Sequence, residues 1–327
     1  MKMKNQLSPS QIIGLALLIF AAFWDCSEKS TSPDRKPGPE FELGKNRYTL
    51  EIDGDKREYF VHVPMGYDAN NATPVVFMLH GASGRGEWMY KFSGWKELGE
   101  EENILTVFPT AWSYCWIKAN DVVRDTTRWN SFPGIFTFCA GEKPRDDVKF
   151  LRHIVDDLKQ KFTVDSQRIY MVGFSSGGQM AFRCAVEMSD VIAAVVQSGG
   201  THQIDTVFTP VRNLPITFEL GNKDETWFQD GAEAPLSIFD DVLKNHYLFK
   251  RIVNVHINSF YCESIYQMSG DTTSALTATY KGIPNIGNRV FNFTLIDGLD
   301  HSYPNTVNHP MNGARQNWDW LQQYFLR

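Results

Sequence analysis

Residues 168–188 read RIYMVGFSSGGQMAFRCAVEM. The apolar run 169–172 has the character of a buried strand. It leads directly into Gly173-Phe174-Ser175-Ser176-Gly177, a G-x-S-x-G pattern, and then into a small-residue helix start at Gly178. A sharp strand-to-helix turn of this kind holds its central serine in a strained conformation, and glycines on either side remove the side chains that would clash. Ser175 is therefore predicted to project its hydroxyl from the end of a sheet strand, at the start of a helix over 176–188.

The sequence on either side of this turn follows the same grammar. Apolar runs at 75–79 (VVFML) and 104–108 have no alternation, as expected of strands buried on both faces of a parallel sheet. Residues 147–162 place Val148, Leu151, Ile154, Val155, Leu158 and Phe162 three or four apart, which marks one face of a helix. Strands follow at 191–196, 216–220 and 291–296, with helices around 238–249 and 317–325. An alternating hairpin, 48–52 and 59–63 around Asp53-Gly54, opens the series. Strands alternating with helices predict an α/β fold, a mainly parallel sheet flanked by helices. No internal repeat or second Pro/Gly-rich linker interrupts it, so 41–327 is expected to be a single domain.

A serine hydroxyl needs a base, and the base needs an orienting acid. In a sheet of this kind they follow the serine in the order acid, then histidine, each just past a strand end. Asp224, in Gly221-Asn222-Lys223-Asp224 after 216–220, and His301, in Gly298-Leu299-Asp300-His301-Ser302 after 291–296, meet that requirement. Glu225, Asp230 and Asp300 are substitutes for the acid. Backbone N–H donors for a developing oxyanion are expected from Ser176, the residue after the nucleophile, and from Ala82 in the loop His80-Gly81-Ala82-Ser83-Gly84. His80, at a strand end, is expected to be structural rather than a second base.

These segments resemble the esterase group that contains feruloyl esterases of carbohydrate esterase family 1 and polyhydroxybutyrate depolymerases. The resemblance rests on LHGASG, VFPTAW, the block from Asp146 to Ala185, GNKD and GLDHSYP, and runs from about Arg47 to the C-terminus. It implies an α/β-hydrolase fold and a carboxylic-ester substrate, with Ser175, Asp224 and His301 as catalytic triad and no cofactor. This chain departs from the group at Ala82-Ser83, where a Gly-rich or Cys-containing segment is common, and at Gly298-Leu299-Asp300-His301, where Gly-Gly-Gly-His is common. Residues 226–281 match poorly, so the departure bears on substrate more than on chemistry. A feruloyl esterase acting on plant cell-wall polysaccharide is the leading expectation. A polyhydroxybutyrate depolymerase or acetylxylan esterase shares the same triad, and a silent polysaccharide-binding protein is the rival of another class.

Residues 111–140 are rich in aromatics, among them Trp112, Trp116 and Trp129. Flat side chains in a long loop either grip a phenolic group or a sugar face or pack on one another. Trp129-Asn130 resembles a Trp-Asn pair upstream of the elbow in related esterases, which makes Trp129, with Trp116 and Trp112, a candidate for substrate binding.

The chain has 327 residues, is 43% hydrophobic and 21% charged, and carries a net charge of -6, which argues against a nucleic-acid partner. Lys2 and Lys4 precede a 13-residue apolar run over 12–24, too short to span a bilayer and expected to be a signal-peptide core. Cys26 follows, so 1–26 reads as a signal peptide or lipoprotein leader and 27–40, polar and Pro-rich, as a flexible linker. Cys26 is thus a candidate membrane tether, although Phe23, Trp24 and Asp25 are bulkier than lipoprotein cleavage sites prefer. Either mode of export places the remaining chain outside the cytoplasm. Of the other cysteines, Cys115, Cys139, Cys184 and Cys262, three full pairings are possible, and Cys115 with Cys139 is preferred because the pair brackets a long loop. No C-x-x-C or H-E-x-x-H spacing points to a metal.

Overall fold

The computed structural model describes residues 41–117, 122–132, 137–202, 206–228, 234–284 and 289–326. The leader and linker expected over 1–40 lie outside these, as does Asp230. The central strands are the apolar runs identified above. They are β3 (Thr73–Leu79), β4 (Leu105–Pro109), β8 (Val164–Phe174), β9 (Ala194–Ser198), β10 (Ile216–Gly221) and β13 (Val290–Ile296). They lie parallel in the order β4-β3-β8-β9-β10-β13. The predicted hairpin, β1 (Gly44–Ile52) and β2 (Asp55–Val63), adds antiparallel to β4 at one edge. At the other edge β11 (Cys262–Asp271) and β12 (Ala275–Gly282) complete a ten-stranded sheet.

Side chains alternate along β3. Val75, Phe77 and Leu79 enter one core with α3 (Asp147–Lys161), α4 (Ser176–Glu187), α5 (Phe239–Asn245) and α6 (Tyr247–Ser259), while Val76 and Met78 enter another with α1 (Gly86–Phe92), α2 (Trp95–Glu102) and α7 (Gly313–Leu321). All seven β3 residues are buried, each large apolar side chain contributing about 1.5–3 kcal/mol. Both faces of the sheet are thereby covered, which is why its strands read as continuous apolar runs. From Pro39 onward the chain forms one compact unit.

The strand expected at 191–196 lies at Ala194–Ser198 and the terminal helix expected at 317–325 at Gly313–Leu321, and three further elements differ from expectation. The helix around 238–249 is two helices, because His246 adopts an extended conformation (φ -74°, ψ 123°) between α5 and α6. The aromatic stretch is not simply a loop. β5 (Ser113–Ile117), β6 (Val123–Thr127) and β7 (Thr137–Phe138) form a small antiparallel sheet, and Cys115 is disulfide-bonded to Cys139 across it. The hairpin β11–β12 went unread because most of β11 is exposed and polar, without a periodic apolar face. Cys184 and Cys262 are buried free thiols. Among the described residues no helix is long and apolar enough to cross a membrane.

Candidate active site

Ser175 sits between β8 and α4 with φ 53° and ψ -118°, a left-handed conformation that costs a side-chain-bearing residue on the order of 1–3 kcal/mol. The surrounding packing enforces it. A Cβ on Gly173 would lie 2.0 Å from the Gly177 carbonyl oxygen, and one on Gly177 would lie 2.4 Å from that of Leu79. Only glycines at these positions let the turn close so tightly onto β3. Ser175 N–H donates to the Ser198 carbonyl at the end of β9, which ties the elbow to the neighbouring strand.

Two loops bring partners to the hydroxyl. His301, five residues past β13, places Nε2 2.9 Å from Ser175 Oγ and Nδ1 2.7 Å from Asp224 Oδ2. Asp224, three residues past β10, is almost wholly buried, and its other oxygen accepts from Thr226 N (2.9 Å) and Thr226 Oγ1 (2.6 Å). The imidazole is 18% exposed, so one edge faces solvent and substrate while its other nitrogen is held. β10 and β13 are neighbours, and Asn222 joins their loops. Its Oδ1 accepts from Gly298 N and its Nδ2 donates to Asp297 Oδ1. The three residues expected from sequence order thus form one hydrogen-bonded relay. Of the substitutes for the acid, Glu225 accepts from the backbone N–H of His301 rather than from its ring, and Asp300 accepts from Ser302 Oγ.

The loop after β3 lies against the nucleophile, since a Cβ on Gly81 would be 3.2 Å from Ser175 Cβ. Ala82 is exposed there. Ser176 is the first residue of α4, and its N–H is among those with no acceptor within the helix. His80 is wholly buried. Its Nε2 accepts from Ala111 N (2.9 Å), which leaves Nδ1 as the protonated nitrogen donating to the Gly81 carbonyl (2.6 Å). Burial pushes its pKa down to about 4, so it stays neutral and braces the loop.

The tryptophans separate. Trp129 is buried completely, packs on His80 and donates its indole N–H to the His80 carbonyl. It offers no ring face to a ligand, and the expectation that it lines a substrate pocket is corrected. The sequence identifies a flat side chain near the rim but not which way it turns. Trp112 is half-buried with the Arg145 guanidinium 4.4 Å from its ring centre, and Trp116 is half-buried with Arg128 at 5.1 Å. Arg57 and Asp147 form a buried ion pair beneath this excursion (2.6 Å), and Asp147 also accepts from Asn130 N. Burial pushes the Asp147 carboxyl up against the pull of Arg57. Sequence reasoning missed Thr226 and Asn222, whose residue types are common in any loop and carry no signal of the carboxylate or strand they serve. Among the described residues no group of three or more His, Cys, Asp or Glu is placed to hold a metal ion.

The architecture matches that of a solved acetyl xylan esterase from Aspergillus awamori, with a TM-score of 0.55 at 13% identity, covering 85% of this chain and 99% of that one. The chain has an α/β-hydrolase fold. Residues 136–246 match the dienelactone hydrolase family model. Curated relatives include a feruloyl esterase B of Piromyces equi, 26% identical over 54% of this chain and 31% of its own length. A poly(3-hydroxyalkanoate) depolymerase C of Paucimonas lemoignei is 26% identical over 46% of this chain and 33% of its own length. The chain therefore spans about a third of the length of these two relatives.

Proposed function

We propose that the protein is a serine esterase that cleaves carboxylic esters carried on plant cell-wall polysaccharide. The observation that carries this reading is the Ser175–His301–Asp224 relay on a strained elbow. In the proposed reaction Ser175 Oγ attacks the ester carbonyl while His301 Nε2 takes its proton. Asp224 holds Nδ1 protonated, so Nε2 is the nitrogen free to accept. The N–H groups of Ala82 and Ser176 stabilise the oxyanion, and His301 returns the proton to the departing alcohol. Water, activated by the same imidazole, then releases the acid from the acyl-enzyme.

The named relatives support an ester substrate, the feruloyl esterase pointing to the plant wall and the depolymerase to a polyester. The Cys115–Cys139 bridge fits an oxidising, extracytoplasmic setting, and attachment through Cys26 is part of the same proposal. Initial rates on methyl ferulate, a short p-nitrophenyl ester and a hydroxybutyrate oligomer, each beside Ser175→Ala, test it. Ferulate hydrolysis lost in the variant is the expected result. Preference for the oligomer would move the enzyme to polyester. Failure of a fluorophosphonate to label Ser175 would leave a polysaccharide-binding protein without catalysis.

A further inference from the structure

At the same end of the sheet as Ser175, the β1–β2 turn and the loop 139–146 enclose a cavity of about 660 Å³ that the catalytic relay does not use. Strand register fixes its position. Tyr59 of β2 pairs with Pro109 at the carboxyl end of β4, so Asp55 and Arg57, earlier on antiparallel β2, lie beyond that end. β2 stands three strands from β8, about 14 Å at ordinary strand spacing. The cavity is therefore displaced from the nucleophile along the rim, where the remainder of an extended substrate would run.

Its wall is held in place before any ligand arrives. Arg145 Nε donates to Asp55 Oδ2 (2.7 Å) and Arg145 Nη1 to Glu142 Oε1 (3.1 Å), while Glu142 Oε2 accepts from Cys115 N (3.2 Å) beside the disulfide. Four carboxylates (Asp53, Asp55, Glu142, Asp146) face three cations (Arg57, Lys143, Arg145), so the lining offers no strong field to an anion or a cation. What it offers is donors and acceptors set side by side, with their geometry fixed. A sugar hydroxyl both donates and accepts, and neighbouring hydroxyls on a pyranose match a guanidinium beside a carboxylate.

We propose that this cavity is a subsite for the neutral glycan chain bearing the ester, with the Asp55–Arg145–Glu142 wall holding sugar hydroxyls while the ester group reaches Ser175. The inference deepens the esterase reading and rests on it. Ala140 is exposed and lines the cavity with a methyl group, so Ala140→Trp fills the space without removing a buried contact. The test compares kcat/KM on a feruloylated xylo-oligosaccharide with that on methyl ferulate. It also measures binding of unesterified xylohexaose to Ser175→Ala protein with and without Ala140→Trp. The ratio of the two kcat/KM values is expected to fall about tenfold, as the loss of one or two good hydrogen bonds would cause, and xylohexaose binding to disappear. An unchanged ratio and unchanged binding overturn the subsite while leaving the esterase intact. If the native protein hydrolyses neither ester, the esterase reading fails, and binding of xylohexaose, present or absent, decides the subsite alone. Asp55→Asn, nearly isosteric, repeats the test should Ala140→Trp fail to fold, with a fall of about threefold expected.

Discussion

The Ser175–His301–Asp224 relay and the excursion over 111–146 are built on the same end of one sheet but held by different forces. The relay hangs from β8, β10 and β13, whose side chains are mostly buried and whose backbones are paired on both sides. The excursion buries Tyr114, Trp129 and Phe132 and is otherwise held by a disulfide, by the buried Arg57–Asp147 pair and by guanidinium groups over tryptophan rings. Apolar burial fixes backbones to within small tolerances, and a hydrogen-bonded chain with contacts of 2.7–2.9 Å requires that. Polar and covalent staples hold a shape with less core, which leaves a surface free to vary.

Substitutions that strike one region and spare the other test this contrast. Asp224→Asn should cost most, lowering kcat about 10⁴-fold by losing the tautomer that leaves Nε2 free to accept. Circular dichroism should remain that of the native protein, and a loss of less than tenfold would mean that another acid serves His301. Arg57→Ala leaves the buried Asp147 carboxyl without its partner, and is expected to destabilise the protein by about 3–5 kcal/mol in urea titration. A neutral result would show that the pair does not anchor the excursion. Replacing Cys115 and Cys139 together by serine opens a loop of 24 residues in sequence separation. The expected loss is about 3 kcal/mol, and a far smaller one would mean that ion pairs alone hold the small sheet.

The smallest effect concerns Glu219 of β10, whose carboxyl burial pushes up to about 8 against the help of the Asn317 side chain. Its pKa is raised on folding, so the folded chain binds the proton more tightly than the unfolded one. That contribution is complete below the ordinary carboxylate range and is lost as pH rises towards 8. Stability should therefore decline as pH rises from about 5 towards 8, and Glu219→Gln should flatten the decline. Identical pH profiles for the two proteins would show that Glu219 titrates normally.

How much of this was legible in the sequence follows the same division. The elbow, Asp224 and His301 could be placed because apolar runs mark the strands and functional residues follow their ends. β5, β6 and β7 could not, because VRDTT in β6 has the composition of a loop and pairs through its backbone beside the disulfide. Trp129 was located but misjudged, since its role depends on the carbonyl of His80, 49 residues earlier in the chain. The break at His246 has no proline or glycine to announce it.

The Asn222 clasp between the loops after β10 and β13 bears on how this chain can diversify. Acid and base are 77 residues apart in the chain but meet on adjacent strands. Between Thr226 and β13, α5, α6 and the β11–β12 hairpin leave from one side of the clasp and return to the other. That stretch can lengthen, shorten or be exchanged while the distance from carboxylate to imidazole stays fixed. A library that randomises it should therefore yield many changes of substrate for each loss of chemistry.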